Sequence, residues 1–447
     1  MLKYYKRQNK YEGKYKMLSS EVCSMYEDIL IEELQVAMGC TEPIAIAFAS
    51  AILKDAIGAE PEHIRIGLSG NIIKNVKSVI VPSTDGMYGI ESAVAAGVVS
   101  GAYDKKLELL SILSKDDLPK IEKYKTECKM QIDELNTSCT FDLFLEGRYG
   151  DRSAKIRITE NHTNIVLVER DGEDITDRYK ESDQTQGTLN KGKSDRALLN
   201  VKDIVAFAEE VDIERIRPYL LRQIDMNMAI AEEGLKNDYG ASIGRLLYRG
   251  GETDLNTKLK AYAAAGSDAR MSGCELPVCI LSGSGNQGIT ASVPVIVYAR
   301  ETGADEESLL RALIASDLIT VHQKTGIGVL SAYCGAISAG CGAGVGICFL
   351  RGGRYREVAH TLVNAVAILS GTICDGAKAS CAAKIAMAVE AGLIGCEMTF
   401  SERQFYGGEG IVTKGVENTI KNIGSLARDG MSGTDKEIIR IMLGKKE

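Results

Sequence analysis

The sequence predicts an α+β protein, in which a largely helical, Ala/Gly-rich domain follows an antiparallel-sheet α+β domain in the N-terminal half. Three observations carry this prediction. From about 62 to 170, apolar residues alternate or run β-branched between Gly and Asn-His turns, the pattern of strands. After 200 they recur at helical spacing through successive Ala-rich segments. The chain also holds no Trp, 7 Phe and 46 Gly, so its core must be packed by Ala, Val, Ile and Leu on closely approaching helices.

Taken in order, residues 1–26 read as a basic, Tyr-rich tail with no apolar segment behind it; it is not a signal peptide and is expected to be unstructured, with Met17 an alternative start. Residues 27–61 are expected to form two helices broken at Gly39-Cys40 and joined to the helical domain, with Thr41 capping the second and Pro43 in its first turn. Residues 62–197 form the α+β domain. HIRIGLSGNIIKNVKSVIVP, MQIDEL, CTFDLFLEG, SAKIRITENH and NIVLVERDG are its strand-like runs, IESAVAAGVVSGA a helix between them, and 180–196 an exposed polar loop. Residues 198–447 are helical. Within them, 325–350 carry no charge, but seven of these residues are Gly, which favours a buried helical hairpin over a membrane span.

With 53 Lys plus Arg against 61 Asp plus Glu the net charge is −8, which argues against a nucleic-acid-binding surface. Twelve cysteines without an export signal imply a reducing, cytoplasmic setting in which thiols stay free unless they bind metal or react. No CxxC pair occurs and there are only 4 His, so zinc-ribbon, thioredoxin and Cys2His2 patterns are missing.

The remaining cysteines divide by context. Cys334, Cys341 and Cys348 repeat every seven residues, one face of a helix, where Cys can stand in for Ala. Cys374 and Cys381 flank an Asp375-Gly376 turn. In one helix they would sit roughly 10 Å apart, whereas a loop there lets both sulfurs converge on a cluster. A redox pair, a metal site and inert core thiols all remain open for them. Cys40 stands just before a helix N-terminus, where N–H groups and the dipole favour a thiolate.

Residues 276–299 contain Gly283-x-Gly285-x-x-Gly288 after a strand-like run, the dinucleotide fingerprint. Pro294 and a β-branched run follow where a helix should continue, which leaves a nicotinamide enzyme as a weak alternative. Without Gly-Lys-Ser/Thr the loop is no triphosphate cradle. Ser282, Ser284, Asn286 and Gln287 are instead candidates to hold a carboxylate, and Arg270, in a polar stretch upstream, offers a bidentate fork.

Gly39-Cys40-Thr41-Glu42-Pro43, Asn161-His162-Thr163-Asn164, Ser267-Asp268-Ala269-Arg270-Met271, Ser282 to Gly288 and Ile373-Cys374-Asp375-Gly376-Ala377 together resemble the L-cysteine desulfidase family, an uncharacterised protein family related to the α-chain of iron–sulfur L-serine dehydratases. The resemblance runs from about residue 27 to 444. It implies a [4Fe–4S] lyase that needs no pyridoxal phosphate and converts L-cysteine to pyruvate, ammonia and sulfide. It makes 198–447 the catalytic domain and places cluster ligands on Cys334 and Cys374, with a third on Cys381 or Cys40. Cys381 is preferred, since the relatives place two ligands in one short C-terminal stretch, although more widely spaced. Thr41 and Glu42 are then expected beside the substrate, with Cys40 as base and Lys384 as its substitute. Expected partners are a small amino acid and, as an open possibility, further copies of the chain. A serine-directed lyase, a non-catalytic redox sensor and an anion-binding protein are the alternatives.

Overall fold

The computed structural model describes residues 18–39, 41–137, 139–180, 194–328 and 331–442. The chain opens with α1 (Ser20–Glu33), β1 (Val36–Met38) and α2 (Thr41–Ile57), then β2 (His63–Leu68), α3 (Gly70–Val76), α4 (Ile90–Ser100), α5 (Leu118–Glu127), β3 (Lys129–Glu134), β4 (Asp142–Tyr149), β5 (Arg152–Thr159), β6 (Ile165–Arg170) and β7 (Glu173–Asp174). Helices fill the rest: α6 (Val201–Glu210), α7 (Arg217–Lys236), α8 (Ile243–Leu247), α9 (Leu255–Met271), α10 (Gly285–Thr302), α11 (Glu306–Ile327), α12 (Gly335–Leu350), α13 (Tyr355–Leu369), α14 (Cys381–Phe400), α15 (Val416–Ser425) and α16 (Ser432–Met442). One strand, β8 (Pro277–Cys279), interrupts them and pairs antiparallel with β1.

The α+β expectation holds, but the strand-like run over 63–82 is a strand only in β2, because α3 begins at Gly70 and buries Ile72, Ile73 and Val76 on helical spacing. The sheet runs β3-β2-β4-β5-β6-β7 and is antiparallel except where β2 lies parallel to β3, after a long helical connection. Alternating burial along β4 and β5 turns Leu143, Leu145, Ile156 and Ile158 onto one core. A second core fills the helical half, centred on α12, whose residues from Ala336 to Phe349 are all buried.

Three further expectations change. Residues 20–26, expected within an unstructured tail, belong to α1, which starts at Ser20 and is capped by the Ser19 hydroxyl accepting from the Val22 N–H at 3.3 Å. Tyr26 is fully buried and donates its hydroxyl to the Leu198 carbonyl, which ties α1 to the helical half. Residues 1–17, Met17 among them, lie outside the described residues. Second, 27–61 is not one unit: α1 packs in the helical core, whereas α2 packs on the sheet. Third, 325–350 is one buried helix after a loop rather than a hairpin, because Gly328 ends α11 with a left-handed φ of 95° and α12 does not begin until Gly335. Among the described residues no helix is long and apolar enough to cross a membrane.

Candidate functional site

A cavity of about 120 Å³ lies where the two halves meet, lined by Thr41, Glu42, Lys74, Asn75, Phe141 and His162 from the sheet side. The helical side adds Arg270, the Ser282–Gln287 turn, Lys324, Tyr333, Cys334, Cys374, Cys381 and Lys384. That is room for about four waters or one small molecule. Every sequence-predicted site residue except Cys40 is therefore brought to one place; Cys40 lies outside the described residues.

Backbone pairing sets the two leading thiols side by side. Tyr333 and Ile373 form an isolated antiparallel bridge, the Cys334 N–H donates to the Thr372 carbonyl at 3.1 Å, and the Cys374 N–H donates to Ala332 at 2.6 Å. Cys334 also caps α12. The neighbouring Cys334 thiol, followed by Lys74, the Gly376 N–H and Lys324, outweighs burial and brings Cys374 down to about 5. The neighbouring Cys374 thiol and burial push Cys334 well up. Gly376 turns the chain with φ 98°, and a Cβ there would lie 2.3 Å from the Lys74 carbonyl oxygen, so glycine is required both by dihedral and by contact. Cys381 opens α14 beside this turn, where burial raises its thiol.

Three lysines surround the thiols. Lys74 is buried and paired with Asp435 of α16 at 2.5 Å. Lys384 donates to Asp375 at 2.5 Å and to the Ile373 carbonyl at 2.9 Å. Although burial opposes it, the Asp375 contact raises Lys384, so its ammonium is held charged and poorly suited to accept a proton. Lys324 differs. It lies at the end of α11, and burial brings it down to about 8 against the pull of Cys374 and Cys334.

Opposite the thiols, Arg270 sits not in a polar loop but in helix α9, 4% exposed. Its Nη1 donates to Asn286 Oδ1 at 3.2 Å and its Nε is buried without a partner. A Cβ on Gly285 would lie 2.3 Å from that Nε, so the turn needs glycine to let the guanidinium in. Gln287 lines the same cavity, with Oε1 buried and unpartnered. An unpaired cationic donor and an unpaired acceptor on one cavity match a zwitterion carrying a carboxylate and an ammonium. The Ser282 N–H is already used, donating to Glu33 Oε2 at 2.9 Å. On the sheet side the Thr41 hydroxyl donates to Glu42 Oε2 at 3.1 Å and Asn75 Nδ2 donates to Oε1 at 2.9 Å.

The Gly-rich turn also corrects the reading of 276–299: α10 does follow it, through Pro294, because burial against neighbouring helices overrides local propensity. The dinucleotide fold is still missing, since β8 pairs only with β1 in a two-stranded antiparallel ribbon rather than a parallel sheet.

Sequence reasoning assigned no role to Lys74, Asn75, Phe141, Lys324 or Tyr333, and quoted His162 only within a motif. His162 stands edge-to-face against Phe141 with ring centres 4.8 Å apart. No signal in the sequence singled out Lys324, whose helix also carries Arg311, Asp317, His322 and Gln323.

Among the described residues no group of three His, Cys, Asp or Glu side chains closes on a single metal ion. The donor set suits an iron–sulfur cluster in kind: three thiols open on one cavity, one is already acidic, and buried lysines offset added negative charge.

A family model described as the serine dehydratase alpha chain matches residues 104–440. The chain is 52% identical to a UPF0597 protein of Desulfitobacterium hafniense, over 94% of this chain and 96% of that one. It is 44% identical to a UPF0597 protein of Lachnoclostridium phytofermentans, over 93% and 98%. A UPF0597 protein of Shewanella baltica is 35% identical, over 93% and 98%.

Proposed function

Because the chain belongs to the serine dehydratase alpha-chain family, we propose that it is an iron–sulfur ammonia-lyase, independent of pyridoxal phosphate, whose substrate is L-cysteine. The single observation that supports it most is the meeting of three thiols with an unpaired Arg270 Nε and Gln287 Oε1 around one small cavity. Cys334, Cys374 and Cys381 would hold a [4Fe–4S] cluster. When bound, it supplies an open iron that polarises the leaving group as a Lewis acid.

The chain's own residues do the rest. Arg270, oriented by Asn286, holds the substrate carboxylate, and Gln287 accepts from the ammonium. Thr41 and Glu42 close the sheet side of the site. Lys324 takes the α-proton, because burial leaves its amine partly neutral near pH 8, whereas Lys384 is held charged by Asp375. Cys40, expected from sequence as the base, is the competing candidate for that proton. Sulfide departs, and the aminoacrylate leaves the site to tautomerise and hydrolyse to pyruvate and ammonia. Every described cysteine is a free thiol, which supports a reducing, cytoplasmic setting.

The family's own description favours a second reading, L-serine as substrate. Anaerobically purified protein given each amino acid separates the two by kcat/KM. A higher value for L-cysteine supports the proposal, and a higher value for L-serine replaces it. Turnover of neither, with the iron–sulfur absorbance intact, would leave a redox sensor.

A further inference from the structure

Away from the cavity, α12 and α14 run parallel and touch backbone to backbone. A Cβ on Gly340 would lie 2.3 Å from the Ala388 carbonyl oxygen, and one on Gly344 would lie 2.7 Å from Gly392 Cα. These contacts advance four residues at a time on both helices, and the next step pairs Cys348 with Cys396. The two thiols are close enough to shift each other's titration. Helices this close bring facing Cα atoms into the range that a disulfide bridges.

The surroundings distinguish the two sulfurs. Arg351, just past α12, donates Nη1–H to Cys396 Sγ at 3.6 Å, pairs with Glu397 at 2.9 Å and stacks over the Phe400 ring at 4.1 Å. The neighbouring Cys348 thiol and then Arg351, working against burial and Glu397, hold the Cys396 thiol below its ordinary range. Cys348 is driven up by the neighbouring Cys396 thiol and by burial, with Glu357 adding to the rise and Thr361 opposing it. Both sulfurs are buried, Cys348 at 0% and Cys396 at 1% exposure, so only a small neutral oxidant can reach them, and the arginine beside Cys396 is what favours its thiolate.

We propose that Cys348 and Cys396 form a second thiol site, separate from the cavity, which hydrogen peroxide oxidises to a disulfide clasping α12 to α14. The Cys396 thiolate attacks one peroxide oxygen, the O–O bond breaks, and hydroxide leaves to take up the proton that Cys396 released. Cys348 sulfur then attacks the resulting sulfenic sulfur, gives up its proton, and the S–O bond breaks to release water. Two thiols lose two electrons and two protons, and the peroxide becomes two waters. The clasp lies about 20 Å along the helices from the ends that carry Cys334 and Cys381.

The test uses the full chain, purified anaerobically, treated with hydrogen peroxide, then denatured in N-ethylmaleimide and mapped by mass spectrometry. A dithiothreitol-sensitive peptide pair joined through Cys348 and Cys396 is expected. Cys341, on the same helix and pushed up to about 12 by burial, should be recovered alkylated. Arg351→Gln should slow the bridge about tenfold, as thiolate becomes scarcer. Recovery of Cys348 and Cys396 as separately alkylated thiols would overturn the proposal, and so would an unchanged rate in Arg351→Gln.

Discussion

Cys334 and Cys374 are set side by side by the antiparallel bridge between Tyr333 and Ile373, with the Cys334 N–H donating to the Thr372 carbonyl at 3.1 Å and the Cys374 N–H to that of Ala332 at 2.6 Å. One loop precedes α12 and the other precedes α14, so the pair exists only in the folded chain. On the proposed ligand set, replacing either cysteine with Ala would remove one of three anchors for iron. Cys334→Ala, Cys374→Ala and Cys381→Ala should each fold, by circular dichroism, and hold little iron. A full complement of iron and labile sulfide in any of the three returns that cysteine to the core.

Arg270→Lys keeps a charge but loses the fork that reaches both Asn286 and the cavity. The loss of a charged hydrogen bond, about 1.5–3 kcal/mol, should raise KM roughly tenfold to hundredfold without loss of iron. Asn286→Ala should move KM in the same direction. An unchanged KM in both would remove this turn from the substrate site.

Exchange of the substrate α-hydrogen with deuterated solvent isolates the base. Lys324→Gln should slow it by about 10²–10⁴-fold while the protein keeps its colour. Lys384→Gln should retain exchange, because Lys384 is held charged by Asp375. Collapse of exchange in Cys40→Ser, with Lys324→Gln unaffected, would transfer the role to Cys40.

Asp317 gives a pH signature in the helical core. It is fully buried, Gln223 Nε2 donates to its Oδ1 at 3.1 Å, and both Asp317 Oδ2 and Gln223 Oε1 lack partners. Protonation satisfies both, since an Oδ2–H can donate to Oε1. Burial raises this carboxyl to about 7. With the folded value above the unfolded one, its contribution is fully present below about pH 4 and is lost as pH rises through 7. Asp317→Asn keeps a donor that does not titrate, so relative to the parent it should gain about 2–3 kcal/mol between pH 5 and pH 8, two pH units at about 1.36 kcal/mol each. Equal differences in denaturant unfolding at the two pH values would contradict this.

Much of the site was legible because its residues carry their chemistry locally. The Asp375-Gly376 turn announced a loop between two cysteines, and the loop is there, with Gly376 at φ 98°. Arg270 was found by residue type but misplaced in a polar loop, since Ser-Asp-Ala-Arg looks exposed until α9 is packed among its neighbours. Helix α10 was missed for the related reason that tertiary burial carries a Pro and a β-branched run through a helix. Lys324 and Lys74 were passed over because a lysine reads as surface unless the fold buries it. The parallel β2–β3 pair was also illegible, because strand alternation shows which face is buried but not which strand lies beside which.

The central claim is that this cavity eliminates sulfide from L-cysteine through residues anchored on Cys374. The most direct measurement is the ratio of sulfide to pyruvate released from L-cysteine by anaerobically purified protein, taken beside Cys374→Ala. Equal amounts of the two products from the parent, and neither from the variant, are the predicted result. Undiminished release from Cys374→Ala, or no release from a parent that holds its full iron, would contradict it.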